Sequence, residues 1–317
     1  MAKPYLFHIG YAKTGTTWLQ THYFTRREAG FAFVRERKAN TPGGIGGKAP
    51  GRYIIEKPLF DYDPPSVRCT VDELFATDLA AGLTPVISNE QLSGSPPAGG
   101  WLAKEHAWRL VSSFPDAKIF IVAREQRAMI RACYMQYLRA GGCMSLREYM
   151  AGPEDGQLPQ PDLYYFRYDG LLRHYLELYP RNQVLCLPYE IFRDRPAEFL
   201  ATLDGFAGVA TCQALPLSHR ENARDGMLQY PIWRWLNPLV HRRSLNGRSP
   251  YAMNFLHRPS RLVLKKLSPL LPKSWDRALL RRWERQIDAA TAGFYEESNR
   301  RLAQLIGFDL GSLGWRV

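Results

Sequence analysis

The 317-residue chain has little cysteine and comparatively little acid. Its five cysteines, Cys69, Cys133, Cys143, Cys186 and Cys212, are odd in number, and no two have the C-x-x-C spacing. A zinc ribbon, a metal cluster or a disulfide scaffold is therefore not expected. No apolar run reaches the roughly 18 residues of a membrane span, and the first residues lack the apolar core of a signal peptide. A soluble protein in a reducing cytoplasm is the expectation. No internal repeat is evident, which argues against a solenoid. Asp and Glu total 30 against 42 Lys and Arg, for a net charge of +12. The imbalance is local: residues 220–285 hold 15 Lys/Arg and 4 Asp/Glu, or +11. Such a stretch suits an acidic glycan, a phospholipid surface at the inner face of a membrane, or no partner at all. No nucleic-acid recognition motif accompanies it, so nucleic acid is not expected.

What is present is concentrated near the start. Tyr5 to Ile9 is an apolar run that reads as a buried strand, and Gly10 and Gly15 bracket a short loop. A helix is predicted from Thr16 through Trp18, Leu19 and Gln20. A strand, a glycine-bracketed loop and a helix N-terminus suit a phosphate, because backbone N–H groups and the helix dipole converge on an anion. The glycine spacing is that of the P-loop G-x-x-x-x-G-K-[ST], but Thr16 stands where that loop has its lysine. The lysine lies earlier, at Lys13, where it suits the bridging oxygen of a shorter phospho-anhydride. The competing reading is a glycine turn before an ordinary helix.

Gly10-Tyr11-Ala12-Lys13-Thr14-Gly15-Thr16-Thr17-Trp18-Leu19-Gln20 resembles the 5′-phosphosulfate loop of sulfotransferases that use 3′-phosphoadenosine-5′-phosphosulfate (PAPS). The resemblance spans about residues 4 to 210 and, weakly, the last thirty. It implies an α/β fold: a three-layer parallel sheet flanked by helices, like the P-loop NTPases, with a mostly helical C-terminal region. The implied division is a PAPS-binding core over 1–215, a basic, aromatic cap or acceptor-side segment over 216–274, and a helix over 275–317 packing on the core. PAPS, with 3′,5′-ADP as product and no metal, is the implied cofactor. Lys13, Thr14, Gly15, Thr16 and Thr17 are then the 5′ site, and Trp18 stacks on the adenine or packs in the core.

Further along, Thr70-Val71-Asp72-Glu73 reads as a capping box that starts a helix, with Gly82 as its stop. Thr84 to Ser88 reads as a strand that delivers Asn89 and Glu90 to its carboxyl end, where α/β proteins place their ligand crevice. Glu90 is the candidate general base, as in relatives acting on sugars, and Glu56 and Lys57 are weaker alternatives. Residues 39–51 are rich in Gly and Pro and predict an irregular loop, a lid or an insertion. Lys118 to Ala123 reads as a central strand buried on both faces and ends in Arg124. Arg124, Tyr134, Gln136-Tyr137 and Gly141-Gly142 resemble a bacterial branch of the sulfotransferases, whose equivalent arginine holds the 3′-phosphate with a serine eight positions later. That position is Ala132 here, and loss of one charge-assisted bond costs about 1.5–3 kcal/mol. Arg127, Arg131 and the Cys133 backbone are the candidate substitutes.

Ser145 opens a second capping box with Glu148, and helices are predicted from about Tyr164 to Tyr179 and from Pro196 to Gly205. Val184 to Leu187 reads as a strand leading to Tyr189, which by resemblance approaches the adenine. Arg220 and Arg224 lie where the family has a basic loop over the nucleotide. From Trp275, the residues Leu279, Trp283, Ile287, Ala290 and Phe294 share one helical face, and Leu302, Leu305 and Ile306 extend the helix to Gly307. The implied reaction moves a sulfuryl group to an acceptor hydroxyl on a carbohydrate or glycolipid. The alternatives are an ATP-using P-loop kinase and a non-catalytic binder of anionic glycan or membrane.

Overall fold

Alternation along β1 (Leu6–His8) sends side chains to opposite faces, and each face meets its own set of helices. The computed structural model describes residues 3–34, 50–153, 159–210, 226–240 and 272–317. The other strands are β2 (Phe31–Phe33), β3 (Thr84–Ser88), β4 (Lys118–Ala123) and β5 (Val184–Pro188). All pair in parallel, in the order β2-β3-β1-β4-β5. Tyr5, Phe7, Ile9, Ile119 and Ile121 face one core, and Leu6, Phe120, Val122 and Leu187 face the other. Near-continuous apolar runs follow from burial on both faces.

The helices are α1 (Thr16–Trp18), α2 (Pro50–Ile55), α3 (Pro64–Leu74), α4 (Ala76–Ala80), α5 (Ala103–Ser113), α6 (Gln126–Arg139) and α7 (Leu146–Ala151). They continue with α8 (Tyr168–Leu178), α9 (Tyr189–Asp194), α10 (Pro196–Ala207), α11 (Gln229–Val240), α12 (Lys273–Ala290) and α13 (Glu296–Ile306). Beyond Trp18 the first helix widens into a π-helical turn over Leu19–Tyr23. Strand order switches direction at β1, whose neighbours are β3 on one side and β4 on the other. The crevice at such a switch point lies at the carboxyl ends of the strands.

Several boundaries differ from the sequence expectation. The helix expected from Thr70 begins at Pro64, because Asp63 caps it through the Ser66 N–H and prolines occupy its first turn. Thr70 then lies inside the helix and donates its hydroxyl to the Ser66 carbonyl at 2.9 Å. The Ser145–Glu148 capping box is present, with both reciprocal bonds formed. Of residues 39–51, only Pro50 and Gly51 lie among the described residues, and they open α2 rather than continuing a loop. The segment from Tyr164 divides at Arg167 into a 3-10 turn (Leu163–Phe166) and α8. α10 runs past Gly205 and stops at Gly208, which adopts φ +72°. The C-terminal helix also divides. Thr291 ends α12, its hydroxyl bonding back to the Ile287 carbonyl at 2.8 Å, and α13 starts at Glu296. Phe294 therefore leaves the α12 face and packs edge-on against Tyr164 at 5.1 Å.

Candidate active site

Three turns and the start of one helix meet at the carboxyl ends of the strands. The turn after β1 carries Lys13, the turn after β3 carries Glu90, the turn after β4 carries Arg124, and β5 leads directly to Tyr189. Backbone bonds from Ile9 N–H to Phe120 O and from Tyr11 N–H to Val122 O carry the β1–β4 ladder into the loop. Gly10, at φ +105°, lies against Glu90: a β-carbon there would sit 3.3 Å from the Glu90 Cα. Gly15, at φ +86°, is equally constrained, because a β-carbon would come within 2.7 Å of the Phe192 ring. Only glycine combines these left-handed conformations with such close approach.

Between the glycines, Thr14 is fully buried, and its hydroxyl donates to the Tyr11 carbonyl at 2.5 Å. Thr16 makes a longer bond to the same oxygen, at 3.4 Å, while Thr17 is exposed. The Thr14 side chain thus shapes the loop. The helix has no side-chain cap, and its first turn closes with Leu19 N–H on the Gly15 carbonyl. The N–H groups of Gly15, Thr16, Thr17 and Trp18 precede that bond, as at any helix start. Trp18 itself is buried, with its ring 5.2 Å from Phe192 and 5.7 Å from His22, in the core beneath the loop.

Lys13 adopts φ +66°, a left-handed conformation uncommon for a lysine. Its carbonyl is held by Arg124 Nη1 at 2.8 Å, and the Arg124 guanidinium lies over the Tyr189 ring at 4.8 Å. Arg124 therefore joins the β1 and β4 turns to the start of α9. Burial lowers the Lys13 pKa, Arg139 and Arg124 push it the same way, and the Glu90 and Cys133 side chains oppose them. Cys133 is buried next to the same groups, and its thiol is pushed up to about 12 by burial, with Lys13 and Arg124 acting against that. Lys13, Glu90, Arg124 and Cys133 thus lie near enough for their charges to act on one another.

The remaining side chains around the strand ends are committed elsewhere or lie at the edge of the site. Ala132 is half-buried on α6. Arg131 pairs with Glu284 of α12, and Arg127 bonds Glu125 at 2.6 Å and the Gly314 carbonyl at 3.0 Å. Both cations suggested as substitutes for the missing serine are therefore committed to the C-terminal segment. Glu56 pairs with Arg52 at 3.1 Å, and the Lys57 carbonyl accepts from the buried Arg109 at 2.8 Å. His8 is fully buried, its Nδ1 is 2.7 Å from Ser88 Oγ, and burial brings its pKa down to about 3, so it is neutral. His106 Nδ1 lies 3.0 Å from the Gln91 carbonyl and ties α5 to the turn that carries Glu90. Arg220 and Arg224 lie outside the described residues.

Sequence reasoning missed Glu190. It is buried beside Tyr189, accepting from the Glu125 N–H at 3.1 Å and from Trp315 Nε1 at 3.0 Å. Burial raises its pKa, and these donors, with Arg124, act the other way. The C-terminal segment thereby braces the turn that carries Arg124. A glutamate directly after a strand-end tyrosine was the only signal, and its partner is 125 residues away.

A crystal structure of a sulfotransferase from Alicyclobacillus acidocaldarius superposes with a TM-score of 0.55 at 17% identity, over 99% of this chain and 100% of that one. The fold is that of the P-loop-like sulfotransferases. The sulfotransferase domain of the Synechococcus PCC 7002 olefin synthase aligns at 14% identity over 81% of this chain and 96% of its own, with a TM-score of 0.38. No protein-family model and no curated sequence matches the chain. Among the described residues, no cluster of His, Cys, Asp and Glu has the form of a metal site, and no helix is long and apolar enough to cross a membrane.

Proposed function

We propose that the chain is a PAPS-dependent sulfotransferase that modifies an acceptor hydroxyl, on a carbohydrate or glycolipid. The observation that carries this reading is the convergence of Lys13, Glu90 and Arg124 on the glycine-bracketed loop. The residues fit the donor. The loop is a tight turn in which a β-carbon at Gly15 would meet the Phe192 ring, and Lys13 with the neighbouring Arg124 offers two cations to a ligand with two separate phosphate groups. Loop N–H groups with Thr16 and Thr17 would hold the 5′-phosphate. Arg124, with one of its five N–H donors on the Lys13 carbonyl, would hold the 3′-phosphate with the others. When bound, PAPS supplies a sulfuryl group on a stable leaving group.

The chain's own residues supply the rest. Glu90 takes the proton of the acceptor hydroxyl. Lys13 would offset negative charge on the leaving oxygen. Burial around Lys13 strengthens that effect, because a cation acts more strongly where water is excluded.

The test is a thermal shift with 3′,5′-ADP, without metal, against ATP with Mg²⁺. A ligand at ~100 times its dissociation constant stabilises by about 2.7 kcal/mol. Stabilisation by 3′,5′-ADP alone is the expected result. A response to ATP with Mg²⁺ alone would replace this reading with a kinase, and silence with both would favour a non-catalytic binder.

A further inference from the structure

α11 carries apolar residues on two sides. Its inner side buries Gln229, Tyr230, Trp233 and Asn237, and Asn237 Nδ2 donates to the Leu138 and Gly142 carbonyls at 2.8 Å each, closing the end of α6. Its outer side carries Ile232, Trp235 and Leu239, at the i, i+3, i+7 spacing of one helical stripe. Trp235 is 72% exposed, with the Arg234 guanidinium over its ring at 5.0 Å. A surface helix ordinarily buries such a stripe and exposes its amides. With Tyr230 and Trp233 already seated in the core, an exposed Trp-Ile-Leu stripe on the other side indicates a second apolar contact.

The neighbouring helix supplies the charge. α11 and α12 both pack on α6, and they are joined by the Leu228 N–H on Asp276 Oδ1 at 2.9 Å and by the Tyr230 and Trp283 rings at 6.2 Å. α12 buries Trp283 and Ile287 and exposes Arg277, Arg281 and Arg285, four residues apart, with Trp275 near its start. An exposed apolar stripe with tryptophan beside a row of arginines is the composition of a helix layer that lies in the headgroup region of a bilayer. We propose that the α11–α12 layer docks on an anionic phospholipid surface, with Ile232, Trp235 and Leu239 entering the interface and the arginines meeting lipid phosphates.

The full chain would be sedimented with vesicles of phosphatidylglycerol and phosphatidylcholine, and with phosphatidylcholine alone. Binding to the anionic vesicles that weakens with added salt is expected. The paired substitutions Trp235→Ser with Leu239→Ser, and separately Arg277→Glu with Arg281→Glu, should each weaken it about tenfold or more. Anionic vesicles with brominated acyl chains should also quench tryptophan emission of the unmodified protein, which needs no variant. Absence of binding to anionic vesicles, or binding that neither pair alters, would overturn the proposal. So would capture by soluble dextran sulfate without vesicle binding, which would give the surface to an acidic glycan. No arm uses the sulfuryl donor, so failure here leaves the proposed reaction untouched.

Discussion

Replacing Trp315 by Phe removes one N–H and keeps most of the ring. Trp315 is buried, edge-on to Tyr168 at 5.8 Å, and its Nε1 donates to the buried Glu190 carboxylate at 3.0 Å. A hydrogen bond to a charged group contributes about 1.5–3 kcal/mol, and here its loss leaves a buried oxygen without that donor. At about 2.1 cal/mol/K of unfolding entropy per residue, a chain of 317 residues should lose roughly 2–5 °C of melting temperature. The loss must depend on pH. Burial already raises the Glu190 pKa, and the Trp315 bond partly opposes that by favouring the ionised form. Without the indole N–H the pKa rises further. The folded variant then holds a proton that the unfolded chain releases more readily, so its stability falls as pH rises from the ordinary glutamate range through the raised value. Melting of both proteins at about pH 4 and about pH 8 reads this directly, with the deficit large at the higher pH and small at the lower. An equal deficit at both values, or none, would refute the role given to the Glu190 carboxylate. Because Glu190 also accepts from the Glu125 N–H next to Arg124, the variant should bind 3′,5′-ADP more weakly at pH 8.

Lys13→Ala and Glu90→Ala should each lower turnover by at least about 10²-fold, measured with saturating donor, and near-normal turnover in Glu90→Ala would remove it as the base. Since burial lowers the Lys13 pKa, the cation is lost at a lower pH than for an ordinary lysine, so 3′,5′-ADP affinity should decline on the alkaline side in the unmodified protein and not in Lys13→Ala. Gly15→Ala places a β-carbon 2.7 Å from the Phe192 ring in a left-handed backbone, and should lose donor binding together with about 1–3 kcal/mol of stability. Ala132→Ser should tighten 3′,5′-ADP by about tenfold if the missing hydroxyl is what the 3′-phosphate lacks, and calorimetry reads the change.

The loop from Gly10 to Gly15 and the strands that end in Glu90 and Arg124 were legible because their signals are local. Continuous apolar runs mark strands buried on both faces, and glycines mark positive φ. Helix boundaries were less legible. Thr70 had the pattern of a cap, but Asp63 and its prolines start α3 earlier. A capping pattern records only what a residue is able to bond, and the helix starts at the first strong site. The C-terminal helix shows the same limit, because the apolar period continues across Thr291 while the backbone turns there.

The sequence by itself determined the elements whose cause lies within a few residues: the β1 loop, the strands β1, β3, β4 and β5, and the kinds of residue at the strand ends. Only the tertiary structure decided which of those residues act on one another. Thr14 turned out to bond its own loop, Trp18 to pack in the core, and Arg124 to hold the Lys13 carbonyl. Arg127 and Arg131 were taken up by partners far along the chain, and the turn beside Arg124 was braced through Glu190 by Trp315. Such pairings depend on how helices cross the two faces of the sheet, and no local pattern encodes a contact between residues more than a hundred positions apart.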